Sequence, residues 1–222
     1  MKKIFLIFLF SVLMVQVKAQ NNIGAWYMYF GTNKFSEKWS WHTEAQHRNH
    51  DIVPNIEQLL LRTGLNYHYS KNAIFTGGYG YITGHQYDAG LFHPNSTEHR
   101  IFQQVIIKQN VSRVGVEHRY RAEQRWVNKS YISRYRYRVM LTFPLNNKEM
   151  TDKTFFLGLY DEIFINGRSD YFGLNRIYGA LGYKFNSDLS LQLGILNQAK
   201  INSDKWYLQF ALFYNLNFLK TE

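Results

Sequence analysis

From Arg113 to Trp126 the chain reads R-V-G-V-E-H-R-Y-R-A-E-Q-R-W, with charge at Arg113, Glu117, Arg119, Arg121, Glu123 and Arg125. Between these fall Val114, Val116, His118, Tyr120, Ala122, Gln124 and Trp126. An extended strand turns alternate side chains to opposite faces, so the segment predicts one charged face and one apolar, aromatic-rich face. Strand-like runs recur at 23–33, 37–48, 57–69, 73–84, 99–109, 113–126, 131–143, 154–165, 171–185, 189–197 and 205–218, and no segment of ten or more residues keeps a helical period. Most are about as long as a tilted strand needs to cross a bilayer, roughly 9–11 residues. The polar face is too charged, and the apolar face too aromatic, for a soluble sheet. The pattern predicts an all-β fold, an antiparallel transmembrane β-barrel of about 10–12 strands in an up-and-down meander, with lipid outside and a polar lumen inside.

Bacterial single-chain barrels almost always have an even strand number. The expectation is therefore ten strands if Ile23 to Asn33 falls short of spanning, or twelve if one break is hidden. Connections read as short at Ser36-Glu37-Lys38, Ser70-Lys71-Asn72, Asn110-Val111-Ser112 and Asn186-Ser187-Asp188, and as longer between them. Short turns belong to the periplasmic side and long loops outside, which makes His85 to Glu98 an extracellular loop.

The central hairpin fixes its own register. With a turn at Val127-Asn128-Lys129-Ser130, Glu123 faces Arg134, Arg121 faces Arg136, Arg119 faces Arg138 and Trp126 faces Tyr131, so charged positions meet charged ones. The opposite register would put Arg134, Arg136 and Arg138 into lipid at about 2–4 kcal/mol each near the midplane. The same division sets Ser40, His42, Glu44, Gln46 and Arg48 against Trp39, Trp41, Thr43 and Ala45, and Arg62, Asn66 and His68 against Leu61, Leu65, Tyr67 and Tyr69. Arg176 and Lys184 are expected inside. One of Asp161 and Glu162 is a lumen acid, and a bulge at Tyr160-Asp161-Glu162 would reconcile both. In the last run Trp206, Leu208, Phe210, Leu212, Tyr214, Leu216 and Phe218 share one face. Gly77-Gly78-Tyr79-Gly80 reads as close backbone packing in a strand rather than as a phosphate loop, since no helix follows.

The first residues add an address. Met1-Lys2-Lys3, the apolar run Ile4 to Val15 and Val17-Lys18-Ala19 form a signal peptide, residues 1–19, leaving 20–222 as a single barrel domain in the bacterial outer membrane. The apolar run is too short to span a bilayer as a helix. Removing it takes away three lysines and no acid, so the net charge falls from +10 to +7. For an exported chain, nucleic acid is not an expected partner. Outer-membrane lipid, lipopolysaccharide phosphates, the barrel assembly machinery and a small anionic solute are. There is no cysteine, which excludes disulfides, thiol catalysis and zinc–thiolate sites.

The candidate site is the lumen charge ladder Glu44, Arg48, Arg62, Arg113, Glu117, Arg119, Arg121, Glu123, Arg125, Arg134, Arg136, Arg138 and Arg176. Two readings stand. The ladder is a salt-bridge lattice that plugs a narrow barrel, or, with seven arginines against two glutamates in the central hairpin, it is an electropositive lumen that binds or passes an anion. No catalytic residue, metal ligand or cofactor is assigned. The eight histidines lack any ligand spacing, and His118 falls opposite Val139 while Ser133 falls opposite Gln124, so no Ser–His pair forms. The role expected is structural or transport-type, that of a porin-like barrel. The alternatives are a lipid- or lipopolysaccharide-modifying barrel enzyme and a surface binder acting through His85 to Glu98.

Several of these segments together resemble a known family. Ile23-Gly24-Ala25-Trp26, Lys38-Trp39-Ser40, Glu44 to Arg48, the E-H-R-Y-R-A-E-Q-R and R-Y-R-Y-R-V hairpin, and Asn175-Arg176-Ile177-Tyr178 are similar to an uncharacterised bacterial family, the domain of unknown function 2490 family. The resemblance implies an outer-membrane β-barrel in Gram-negative bacteria, with no established activity and no catalytic residues.

Overall fold

A computed structural model describes residues 23–168 and 171–219; the expected signal peptide, residues 1–19, lies outside the described residues. The fold is all-β. Its strands are β1 (Gly24–Lys34), β2 (Trp39–Asn49), β3 (Ile56–His68), β4 (Ala73–Gly84), β5 (Ser96–Val111), β6 (Val114–Val127), β7 (Ser130–Pro144), β8 (Thr154–Asn166), β9 (Phe172–Lys184), β10 (Leu189–Lys200) and β11 (Ser203–Tyr214). They close into a barrel in chain order, β11 returning to β1. Every consecutive pair is antiparallel, whereas β1 and β11 run parallel from Gly24 beside Tyr207 to Gly31 beside Tyr214.

This closure corrects the even count. All the predicted runs are strands, including the first, and the described residues form eleven. In an odd meander the first and last strands point the same way, so the wall can be completed only by a parallel pair. The seam is extended beyond β11, where Lys34 N donates to Leu216 O at 2.7 Å and Phe218 N donates to Lys34 O at 2.9 Å. The strand itself stops at Tyr214, earlier than the predicted run to 218.

The connections also differ from a strict short–long alternation. Residues 85–95 form the longest, but the links at 128–129 and 201–202, at the same mouth, are tight turns, and residues 145–153 make a long link at the opposite mouth. Asn128 and Lys129 have φ of 47° and 71°, as a type I′ hairpin turn requires. That turn sets Val127 against Ser130 and Glu123 against Arg134, the register expected from the charge pattern. The loop predicted to reach Glu98 ends earlier, because β5 begins at Ser96. Ser112, with φ of 55°, turns the chain before Arg113, which falls in the link rather than in β6.

Alternation divides the wall as predicted. Trp41, Leu61, Leu65, Ile177, Leu181, Leu193 and Ile195 are exposed outside, and Glu44, Arg62, Glu123 and Arg136 are buried inside. No bulge forms at Tyr160-Asp161-Glu162: Glu162 turns in, Asp161 turns out, and the β8–β9 register shifts only at Phe164/Ile165. The lumen is not uniformly polar. Trp26, Tyr178, Ala180, Leu196 and Tyr207 pack into an apolar cluster on the β9–β10–β11–β1 side, with Met28 and Tyr160 against it. Charge occupies the β2–β8 side. One glycine of the Gly77-Gly78 pair lets the interior pack. A Cβ on Gly78 would lie 2.5 Å from Phe102 Cζ and 2.5 Å from the Thr63 carbonyl, whereas one on Gly77 would meet nothing within 4 Å. The glycine cluster is therefore a packing device under the fully buried Phe102.

Gly78→Ala is expected to lose about 1–3 kcal/mol by overpacking, while the adjacent Gly77→Ala stays within about 0.5 kcal/mol of the parent. Urea unfolding of the two variants side by side checks this, and equal midpoints would contradict the packing assignment.

Candidate functional site

A carboxylate inside a closed sheet has no bulk water to turn to, so its partners must come from neighbouring strands. Glu123 on β6 has the most complete set. Arg134 of β7 donates from Nε and Nη2 to Glu123 Oε2 at 2.8 and 2.6 Å. Arg136 Nη1 and Arg100 Nη1 approach Oε1 at 2.8 and 3.4 Å, and Arg121 Nη1 stands 3.7 Å away. The hairpin register is what brings these groups together, since Arg134, Arg136 and Arg121 all alternate onto the face that carries Glu123.

Four further carboxylates extend the lattice. Glu162 on β8 accepts from Arg119 Nη2 at 2.6 Å and from Arg136 Nε at 3.0 Å, so Arg136 bridges two acids. Glu98 takes Arg125 in a bidentate pair, both contacts at 2.8 Å, and Arg100 Nε at 2.7 Å. Glu44 accepts from Arg62 Nη1 at 2.8 Å, from Gln46 Nε2, and lies 3.2 Å from His42 Nε2. Glu117 is bound by Arg138 Nη2, with Lys108 Nζ at 3.8 Å. Amides supply acceptors where acids are lacking, as Gln104 Oε1 does for Arg121 at 2.9 and 2.5 Å. Aromatic rings take the flat faces: Arg136 and Arg176 lie 4.3 and 4.7 Å from the centroid of Phe164.

Twelve of the thirteen predicted ladder residues thus face the lumen, and Arg113 does not. Its guanidinium leaves the barrel interior and donates to the carbonyls of Pro144 and Asn147, tying the β5–β6 turn to the next connection. The charge alternation was extended one position past a turn. Glu98, placed in the loop, and Arg100, inside the predicted strand 99–109 but not named in the ladder, are also lumen residues, and T-E-H-R-I-F already alternates there. Trp26 and Phe164 were not read as partners of arginine, because an aromatic in a strand carries no sign of which charge will stack on it.

Even with Glu98 and Glu162 added, guanidiniums outnumber carboxylates, and the imbalance is local. Arg48 and Arg176 meet no carboxylate within 4.0 Å among the described residues. Arg48 donates to Gln46 Oε1 at 2.9 and 2.6 Å and to Gln58 Oε1 at 2.8 Å; Arg176 donates to Gln198 Oε1 at 2.9 and 2.7 Å. Both reach the ring of Trp26, at 3.8 and 4.9 Å. They border a polar chamber of about 280 Å³ near the start of β1. His118 points outward, with Nδ1 2.9 Å from Tyr137 Oη, and Ser133 lies opposite Gln124, so the arrangement holds no Ser–His pair there.

Glu123→Gln removes the charge shared by Arg100, Arg134 and Arg136 and is expected to cost about 3–5 kcal/mol, as for any buried ion network that loses one member. Glu117→Gln, at the more exposed end of the lattice, should cost less. Denaturant midpoints measured under one set of conditions compare them, and a Glu123→Gln protein as stable as the parent would mean that the lattice does not brace the wall.

Comparison with curated proteins and with solved structures returned no match. The model of one family, described as a protein of unknown function (DUF2490), matches residues 23–209, from the start of the β1 region into β11, and the chain belongs to that family.

Proposed function

We propose that this protein is a bacterial outer-membrane β-barrel with a structural or solute-holding role, exported by residues 1–19 and closed to bulk ion flow by its arginine–glutamate lattice. The observation that carries the membrane part is the pairing of polar groups on the outer wall. Gln103 and Gln124 exchange two amide hydrogen bonds of 3.2 Å. Asn175 Nδ2 donates to Asp161 Oδ1 at 2.6 Å, His118 pairs with Tyr137, and Tyr79 Oη lies 2.5 Å from His99 Nδ1. Water would satisfy such groups without lateral partners, whereas hydrocarbon supplies none. The exposed leucines and isoleucines around them fit the same surroundings.

The closed lumen rests on burial. Glu44, Glu123, Glu162, Arg100, Arg121 and Arg136 are all buried, and Phe102, Phe164 and Leu60 fill the space beside them. An ion crossing at that level would have to part charge pairs that have little water to replace them. The competing reading, an anion-preferring pore, draws on the guanidinium excess. Planar bilayers separate the two: the purified barrel is expected to give no conductance above background, and steady anion-selective steps altered by Arg136→Glu would favour the pore.

The membrane part is tested on the wall itself. Ala122→Arg, on the outer face of β6, is expected to destabilise the barrel by about 2–4 kcal/mol if that position is near the midplane of a bilayer. The parent should also fractionate with outer membranes and migrate differently on a gel before and after boiling. A protein that stayed with soluble periplasmic proteins, and tolerated Ala122→Arg without loss, would defeat this reading.

A further inference from the structure

We propose that the chamber bordered by Trp26, Arg48 and Arg176 is a binding site for a small multivalent oxyanion of the phosphate class. The inference rests on the reading of the lumen as a place that holds solutes, and not on the membrane location. Within a lattice where other guanidiniums have acids, Arg48 and Arg176 are held in place by amide oxygens of Gln46, Gln58 and Gln198, which orient a cation without neutralising it. Both guanidiniums converge on one indole. Two guanidiniums beside one ring, neither with a carboxylate within 4.0 Å among the described residues, favour a dianion or higher over a monovalent ion.

Two of the lining residues also carry a donor that has no acceptor in the protein. Trp26 Nε1 and Arg62 Nε are buried without a hydrogen-bond acceptor, and both residues line the chamber. Lys200 adds a cation to the lining. The lining acid is Glu57, which accepts from Tyr207 Oη, also of the lining, at 3.1 Å, with Lys205 Nζ at 3.5 Å.

Size and geometry narrow the class. At about 280 Å³ the chamber sits at the small end of ligand pockets, roughly 300–1,000 Å³, and has room for an ion the size of pyrophosphate. Its lining residues Trp26, Arg48, Arg62 and Arg176 come from β1, β2, β3 and β9, that is, from separate parts of the wall. A tetrahedral phosphoryl group presents acceptors in all these directions, and guanidinium forks match its oxygens. A planar carboxylate covers fewer of them.

The test uses the full chain, folded in detergent and checked by circular dichroism, with inorganic pyrophosphate titrated calorimetrically. Saturable one-to-one binding is expected, weaker for inorganic phosphate and weaker again for succinate at the same ionic strength. Arg48→Gln and Arg176→Gln should each weaken binding by about tenfold or more, whereas Arg138→Gln, whose partner Glu117 lies outside the chamber, should leave it unchanged. Wild-type protein that binds no pyrophosphate, or binds succinate as tightly, overturns the proposal whatever the variants do. So does equal weakening by Arg138→Gln, which would mean a diffuse field rather than a site. Conductance steps in bilayers would instead defeat the closed-lumen reading while this titration still decided the site.

Discussion

A carboxylate enclosed by a β-wall is tenable only when cations surround it, and the structure around Glu123 is arranged to meet that condition. Its partners come from β5, β6 and β7, so the alternation of each strand and the register between them must all agree before the charge is satisfied. A slip of one residue would carry the whole arginine set to the other face. The hairpin at Asn128-Lys129 therefore does more than reverse the chain: by setting Glu123 against Arg134 it fixes which surface of the barrel is inside. Arg136 then carries the same condition to Glu162 and β8.

The apolar half of the lumen changes what those charges can do. Trp26, Tyr178, Leu196 and Tyr207 exclude water from one side, which raises the cost of an unpaired charge nearby and strengthens any pair that does form. Where acids are present the outcome is a brace. Where amides replace them, at Arg48 and Arg176, positive charge is left facing a small, partly open volume beside an indole. Bracing and holding are then two results of one distribution of acids along the strands. The outer wall obeys the complementary condition, since Gln103 with Gln124 and Asp161 with Asn175 leave little polar capacity unspent.

Much of this was legible in the residues because strand alternation is a strict period of two. The central hairpin, its turn and the faces of Arg119, Arg121, Arg134, Arg136 and Arg138 followed from matching like with like. The misreadings arose at strand ends and between strands remote in the chain. Arg113 continued the charge period but lay past Ser112, whose left-handed backbone ends the strand. Glu98 was assigned to a loop because a long polar stretch precedes it, although its alternation with Arg100 belongs to β5. Choosing between Asp161 and Glu162 required the β7–β8 register, in which Glu162 sits beside Arg138. Stacking of Arg176 on Trp26 was not legible, because it joins β9 to β1, strands that are neighbours neither in the chain nor in the sheet.

The parallel seam has a consequence for how the barrel is assembled. Every other pair of neighbouring strands is consecutive in the chain and can zip from its own turn, whereas β1 and β11 meet only when the two ends of the domain are brought together. Non-local contacts of this kind are the slow ones to form, because the entropy of closing the chain precedes any reward. The indole that Arg48 and Arg176 share belongs to β1, and its neighbour Tyr207 to β11. The chamber is thus completed in the last act of closure, and an open sheet that already holds the whole Glu123 lattice would still lack it.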